Sequence, residues 1–266
     1  SGNSIRGTLR DRGMFQMLQQ LGYGVDMETG EVKGLPLSAF YFLFSGGALV
    51  STGDAGFDIS KFREMREMIP LIGLFGGAAG NVIMPGKLKI GKLIPICKET
   101  EHLIPARFLT ENRESIWDYC QTEMYTRKDD EKNDRVRMLI SSAKNENELF
   151  DDKPVKKESA PQQMMYSVET LSAGTVFFWR VILEDVTDIE FEAFISTLLE
   201  FSKAPNIGGK GAVGHGEISI NLDNWVQIDS RITLQGTEVD MKLGSKYINH
   251  IKENGDKIRS HLNSMV

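Results

Sequence analysis

The sequence predicts an α+β fold, because helical and strand patterns follow one another along the chain. Apolar residues recur at helical spacing from Ile5 to Leu21 and again from Phe191 to Leu199. Between these segments, residues 86–96 alternate apolar side chains with lysines, which is typical of a strand with one buried and one basic side. The chain of 266 residues is 41% hydrophobic, which is sufficient for a sizeable core.

The first helix is predicted to begin at Asn3 or Ser4, which are candidate N-caps, and to end at Gly22. Because the helix begins so near the start of the sequence, the strand that should precede it is absent. We therefore expect the chain to lack the first strand of its sheet. Residues 35–45 and 60–69 are two further predicted helical segments, joined by a stretch of turn residues.

The composition changes at residues 125–163, which are polar, charged and poorly periodic, and here we expect a protruding insertion. After it, residues 164–171 and 175–184 are separated by a Ser-Ala-Gly turn signal. This pattern predicts a β-hairpin whose second strand is central in a sheet, because that strand is nearly all apolar.

A capping box from Thr187 to Glu190 starts a helix that is predicted to end before Pro205. A glycine-rich loop, residues 207–216, then leads into a predicted strand at 217–222, and an amphipathic helix spans residues 245–265. With the missing first strand supplied, the order of elements is that of a ferredoxin-like sheet of RRM type, β-α-β-β-α-β. Such sheets are widely used for RNA recognition, but a fold alone does not establish a function.

The composition predicts no cofactor, no metal and no membrane partner. Cys97 and Cys120 lack the spacing of a metal site, and both are predicted to be reduced thiols in the core. No apolar run approaches the roughly 18–20 residues of a membrane span, so we expect a cytoplasmic protein. The net charge of −6 argues against binding of nucleic acid by the chain as a whole, but residues 3–12 and 87–98 are locally basic.

The glycine-rich loop places Gly209, Gly211 and Gly214 at the spacing of a dinucleotide fingerprint, but that motif needs a strand before it and a helix after it. Its glycines would let another backbone approach closely, and Lys210 would add a positive charge, which suits a phosphodiester chain. A loop folded tightly over the core explains the glycines equally well. His215 has no nucleophile beside it, which is more typical of a structural histidine than of a catalytic base.

The start of the first helix is a second candidate anion site. Its first turn offers unpaired N–H groups, and Arg6 and Arg10 lie on adjacent turns of one face. A plain capped helix with surface arginines would have the same sequence. The predicted order of elements brings this helix start near the glycine-rich loop, and two neighbouring anion sites carry more weight than either one.

Three motifs together resemble the RAMP superfamily of CRISPR-associated proteins, and in particular the multi-copy backbone subunit of type III and type IV complexes. They are SGNSIRGTLR at 1–10, LFGG at 74–77 followed by a basic strand, and IGGKGAVGHG at 207–216. The resemblance implies a single domain, 1–266, with a palm sheet and a C-terminal helix at 240–266. It also implies two insertions, helical fingers at 22–73 and a thumb hairpin at 125–170.

The resemblance further implies a non-catalytic subunit of an antiviral ribonucleoprotein complex, which binds guide crRNA along its phosphate backbone and polymerises into a filament. Its partners would be crRNA, a DNA or RNA target, copies of itself and other CRISPR effector subunits. The implied RNA-binding residues are Asn3, Ser4, Arg6, Arg10, Phe75, Gly208, Gly209, Lys210, Gly211 and His215. The implied thumb residues, which would displace a base of the guide, are Gln163, Met164 and Met165.

Two other interpretations stay open. One is a RAMP-type endoribonuclease that cuts target RNA or guide precursor with His215 or an aspartate. Type III relatives use an aspartate in a loop before the first helix, a region that this sequence does not include, and we therefore expect no nuclease activity. Asp54 and Asp58 lie in a turn-rich segment that could bind a metal, but a solvated loop explains them better. The other interpretation is a ferredoxin-like structural protein that binds only proteins.

Overall fold

A computed structural model describes residues 1–25, 32–47, 59–79, 82–111, 113–127, 164–220 and 244–264. The predicted α+β class is confirmed, with short antiparallel sheets beside helices. The helices are α1 (Gly2–Gln20), α2 (Leu37–Phe40), which continues as a π-helix (Tyr41–Ser45), α3 (Ile59–Met68), α4 (Pro70–Phe75), α5 (Ile116–Tyr119), α6 (Asp188–Ser202), α7 (Ser245–Glu253) and α8 (Gly255–Asn263). The strands are β1 (Gly24–Val25), β2 (Val32–Lys33), β3 (Gly77–Ala79), β4 (Val82–Met84), β5 (Leu88–Ile90), β6 (Ile94–Pro95), β7 (Cys120–Arg127), β8 (Met164–Leu171), β9 (Phe177–Phe178) and β10 (Val181–Leu183).

The chain divides into two compact units, of which the first contains residues 1–93 and 179–266 and the second residues 94–178. The predicted helices at 35–45 and 60–69 are confirmed, although the first of them becomes a π-helix in its second half. Among the described residues, no helix combines the length and the apolar character that crossing a bilayer requires.

The core of the first unit is built around α1 and α6, which pack in antiparallel directions. Arg12 Nη2, in the middle of α1, donates to the Ala204 carbonyl after the end of α6, whereas Gln16 Nε2, one turn later, donates to Glu200 Oε2. A Cβ atom on Gly13 would lie 2.6 Å from Thr197 Oγ1, so glycine permits this close approach. Buried side chains from α1, α6, α7 and α8 fill the core, among them Leu9, Met14, Met17, Phe194, Leu198, Phe201, Tyr247, Ile251, Ile258 and Leu262. The helical periodicity seen in the sequence is therefore the core-facing stripe.

The predicted capping box of α6 is confirmed. Thr187 Oγ1 accepts from Glu190 N at 3.3 Å, and Glu190 Oε2 accepts from Thr187 N at 2.8 Å. The final helix, in contrast, is two helices, α7 and α8, which meet at Asn254 and Gly255. Gly255 is the weak point that the sequence indicated. The predicted end at 265 lies outside the described residues.

The sheet pairing differs from the prediction. Residues 164–171 do not form a hairpin with 175–184, because β8 pairs along all eight residues with β7. Residues 175–184 contain two short strands, of which β9 pairs with β6 and β10 pairs with β5. The turn at 172–175 exists, since Thr175 N donates to Ser172 O. A full-length partner for β8 satisfies more backbone groups than the interrupted segment can offer.

The predicted strand at 217–222 is also absent over its described part, residues 217–220, which has a single bridge from Glu217 to Asn206. Ile218 N donates to Pro205 O, but Pro205 has no N–H to return the bond. The ladder therefore stops after one pair. The detailed palm topology, the fingers at 22–73 and the thumb at 125–170 stay predictions.

The second unit contains the β7–β8 hairpin, the β6–β9 pair and α5, whose capping box joins Ser115 and Asp118. Cys97 is buried, as predicted, but Cys120 is exposed, which corrects the prediction that both thiols lie in the core. The reason is that Cys120 begins β7, whose surroundings are an exposed two-stranded hairpin rather than a closed sheet. Both cysteines are free.

Glu99 of the second unit should make stability depend on pH. Hydrogen bonds from Ser115 Oγ at 2.5 Å and Ile116 N at 2.8 Å lower the pKa of Glu99 from 4.5 to about 2. Because the folded pKa is the lower one, the stabilisation is complete above pH 4.5 and is lost as the pH falls toward 2. We expect the difference in unfolding free energy between wild type and Glu99→Gln to be constant above this range and to shrink within it. A difference that is unchanged at pH 2 would contradict the assignment.

Candidate nucleic-acid interface

Arg6 and Arg10, on one face of α1, are held by the turn that follows α4. Arg6 Nη2 donates to Phe75 O at 2.6 Å, and Arg10 Nη2 donates to Gly76 O. The Arg10 guanidinium also lies 5.9 Å from the centre of the Phe75 ring. The structure thus brings together three of the predicted site residues, Arg6, Arg10 and Phe75, although Phe75 lies 69 positions from Arg6 along the chain.

Glycines make this arrangement possible. A Cβ atom on Gly46 would lie 2.9 Å from Arg10 Nη1, and one on Gly86 would lie 2.9 Å from Arg6 Nη2. Gly76 has a φ of +68°, and a Cβ atom there would lie 2.5 Å from Met84 O. The LFGG motif therefore turns two backbone carbonyls toward the guanidinium groups, in a conformation that favours glycine.

Within the described part of the chain, neither Arg6 nor Arg10 forms an ion pair with an acid. Burial, and then the neighbouring Arg6, lower the pKa of Arg10 to about 10, while Asp11 acts in the opposite direction. The Nε atoms of Arg6 and Arg10 are buried and have no hydrogen-bond partner among the described residues. A bound anion would relieve the repulsion between the two guanidinium groups and accept from their remaining N–H groups.

The outer surface of α1 beside the two arginines is open. Asn3, Ser4 and Gly7 are exposed, and a Cβ atom on Gly7 would meet nothing within 4 Å. The N-cap is Ser1, whose Oγ accepts from Ser4 N at 3.3 Å, so the prediction that Asn3 or Ser4 caps the helix is wrong. The helix begins earlier because Ser1 has the same capping ability as the residues that follow it.

The glycine-rich loop closes on itself. Ile207 N donates to Gly216 O at 2.9 Å, and the Lys210 carbonyl accepts from Val213 N and His215 N. Gly208, Gly209 and Gly211 are exposed, whereas Lys210 and His215 are half-buried. These five residues are the predicted RNA-binding residues of this loop. Neither Gly209 nor Gly211 has an atom near the position of an added Cβ, so the loop leaves free space in front of its backbone.

The segment that leads into the glycine-rich loop and the Phe75–Gly76 turn lie on different sides of α1. Arg12 Nη2 donates to Ala204 O at 3.3 Å, in the segment that leads into the loop. Arg12 follows Arg10 by two residues, which is about 200° around a helix. The segment that leads into the loop therefore meets α1 on a different face from the arginine site. Sequence reasoning missed this contact of Arg12, since its partner is a backbone carbonyl.

The predicted thumb residues lie in or next to β8. Met165 is exposed, and Met164 pairs with Arg127, whereas Gln163 lies outside the described residues. Met124 of β7 is exposed as well, and the register places it diagonally from Met165 on the same face of the hairpin. Met124 is not among the residues predicted from the sequence, although an apolar residue amid polar neighbours in a strand is the signal that could have shown it.

Gly216 should be the glycine of this loop that tolerates substitution least. It has a φ of +80°, and a Cβ atom there would overlap the Ile207 carbonyl oxygen, which would lie 2.0 Å away. We expect Gly216→Ala to lower the unfolding free energy by about 1–3 kcal/mol. Gly209→Ala is the matched control, because its methyl group enters free space, and should change stability by less than about 0.5 kcal/mol. Urea unfolding measures the unfolding free energy of both variants, and equal values for the two would contradict the loop geometry.

Among the described residues, no group of three or more His, Cys, Asp or Glu side chains could hold a metal ion. Asp54 and Asp58, the acids considered from the sequence, lie outside those residues. Neither a protein-family model nor a curated protein matches this chain. A solved structure titled "Type IV-B CRISPR Complex" contains a chain that is similar, with a TM-score of 0.53 and 23% sequence identity, over 88% of this chain and 78% of that one. The protein therefore has the fold of a chain found in a type IV-B CRISPR complex.

Proposed function

We propose that the protein is a CRISPR effector subunit that binds the phosphate backbone of guide RNA along α1. The observation that carries the proposal is the pair of half-buried guanidinium groups of Arg6 and Arg10. They are fixed by backbone carbonyls, their Nε atoms have no partner among the described residues, and the pKa of Arg10 is lowered to about 10. Such a pair is preorganised for a phosphate, because the guanidinium geometry is set before the anion arrives.

The open surface of α1 gives the RNA strand a path. Asn3 and Ser4 are polar and exposed, and Gly7 has no side chain, so a phosphodiester strand can lie close to the helix beside Arg6 and Arg10. The positive end of the helix dipole is at the same end of α1. These features support the roles of Asn3 and Ser4 in holding guide phosphates.

The glycine-rich loop would hold the strand on the other side of α1. Lys210 has a φ of +62°, a conformation that costs a residue with a side chain about 1 kcal/mol and that glycine would adopt freely. A lysine in such a strained position supports a role for its side chain. Gly208, Gly209 and Gly211 would let the RNA backbone approach, and His215 would contact it from the end of the loop.

The β7–β8 hairpin would serve as the thumb. Met124 and Met165 expose apolar side chains on one face, and apolar side chains inserted at a base step unstack it. In a filament of copies of this chain on one guide, each hairpin would displace a base, and pairing of the remaining bases would select the target. The protein itself would be non-catalytic, and other effector subunits would complete the complex.

The experiment is to purify the protein with the products of its neighbouring genes and to sequence the nucleic acid that accompanies it. We expect RNAs of one discrete length that share a repeat-derived end. Failure to recover nucleic acid from repeated low-salt preparations would overturn the proposal. Incubation with labelled RNA tests the non-catalytic role, since cleavage that disappears in His215→Ala would instead identify an endoribonuclease.

A further inference from the structure

Four aromatic side chains form an exposed surface on the first unit, which we name the aromatic surface. It consists of Phe15 of α1 and Phe40, Tyr41 and Phe44 of the α2 and π-helical segment. Phe15, Phe40 and Tyr41 are 54%, 42% and 46% exposed. The rings contact one another in a chain, with centroid distances of 4.7 Å for Phe15–Phe44, 4.9 Å for Phe40–Phe44 and 5.9 Å for Phe40–Tyr41.

The π-helix explains why these rings face outward. Phe42 and Leu43 occupy the core, so the residues on either side of them in the same wide turn point away from it. Phe40 and Phe44 are four residues apart and stack at an interplanar angle of 30°. π-Helical turns are rare and are frequent at functional sites. This segment keeps the Phe40 and Tyr41 rings largely in water, which folding alone would disfavour, whereas Phe44 packs partly against the core.

The aromatic surface is continuous with the arginine site. Gly46 caps the end of the π-helix, and a Cβ atom there would lie 2.9 Å from Arg10 Nη1. Phe44, two residues before Gly46, packs against Phe15, which lies about 7.5 Å along α1 and about 140° around it from Arg10. Guanidinium groups that bind phosphate and rings that can stack on bases are thus presented by the same two segments. Grooves that bind single strands without sequence preference combine these two features.

We propose that the aromatic surface stacks against unpaired bases of the nucleic-acid strand whose phosphates Arg6 and Arg10 bind. The inference rests on the proposed function and extends it from the backbone to the bases. Stacking on aromatic rings tolerates every base, which a subunit that holds guides of different sequence requires. A protein partner would have no need of the adjacent positive charge, and the contiguity of rings and arginines therefore favours nucleic acid.

The test compares an unstructured RNA oligonucleotide with a strand of equal length that carries abasic sites. The variants are the double substitution Phe40→Leu and Tyr41→Leu, which keeps apolar volume but removes the π faces, and Tyr41→Phe as the matched control. We expect wild type and the control to bind intact RNA at least about tenfold more tightly than the abasic strand. The leucine variant should bind both strands with the affinity that wild type has for the abasic strand.

Four outcomes would overturn the inference. If the leucine variant keeps the preference for intact RNA, the rings do not stack on bases. If it keeps that preference and instead forms smaller assemblies in light scattering, the aromatic surface binds protein. If wild type binds neither strand, the proposed function fails together with the inference. If wild type binds both strands equally, the inference fails but the proposed function stands. Circular dichroism and urea unfolding establish that each variant is folded.

Discussion

Replacing both Arg6 and Arg10 by glutamine is expected to weaken binding of single-stranded RNA by about 100-fold or more, because each lost charge-assisted contact is worth about 1.5–3 kcal/mol. The slope of log affinity against log salt concentration should become shallower by about 1.4, which corresponds to two phosphate contacts on a single strand. Fluorescence anisotropy over a range of salt concentrations measures both quantities. An unchanged salt slope would contradict the phosphate site.

The matched control for this variant is Arg259→Gln. Arg259 Nη1 also donates to a backbone carbonyl, that of Leu21 at 3.1 Å, but it lies at the other end of α1 and is paired with Asp256. We expect this variant to bind RNA as wild type does. The control separates the loss of a phosphate contact from the loss of an arginine that braces the fold.

A lysine series tests the same site further. Arg6→Lys with Arg10→Lys keeps both charges but loses the planar fork that reaches the carbonyls of residues 75 and 76. Affinity should be intermediate, and the salt slope should stay close to that of wild type. If the arginines only brace the backbone, the affinity of every variant for RNA will instead follow its unfolding free energy.

Glu190→Ala is expected to lower the unfolding free energy by about 2–4 kcal/mol, since it removes one partner of a largely buried ion pair and half of a capping box. Glu190 Oε2 accepts from Lys87 Nζ at 2.6 Å and from Thr187 N at 2.8 Å. The side chains of Lys87 and Glu190 are 24% and 7% exposed, so the lysine charge left behind is only partly solvated. Urea denaturation measures the loss.

Glu184→Ala is the control for Glu190→Ala. Glu184 pairs with Lys89 at 2.5 Å, but the two side chains are 52% and 59% exposed. An exposed pair contributes at most about 1 kcal/mol, so this variant should be nearly as stable as wild type. Equal losses in the two variants would show that burial of Glu190 does not determine its contribution.

Some of the candidate site could be predicted from the sequence and some could not. Arg6, Arg10 and Lys210 were identified because arginines one helical turn apart and a lysine among glycines are local patterns. What holds the arginines cannot be predicted from the sequence, since the carbonyls of Phe75 and Gly76 carry no sequence signal of their own. Phe75 was placed in the site by resemblance alone, and the aromatic surface was not predicted at all.

The sequence by itself determined the α+β class, α1 and the capped start of α6, because helical periodicity and capping depend on residues within a few positions of each other. Only the tertiary structure decided that residues 164–171 pair with 120–127, and that Phe15 meets Phe44. Pairing and packing depend on which distant segments compete for the same backbone groups and the same apolar surface. That competition is resolved by the whole chain, and no local pattern contains its outcome.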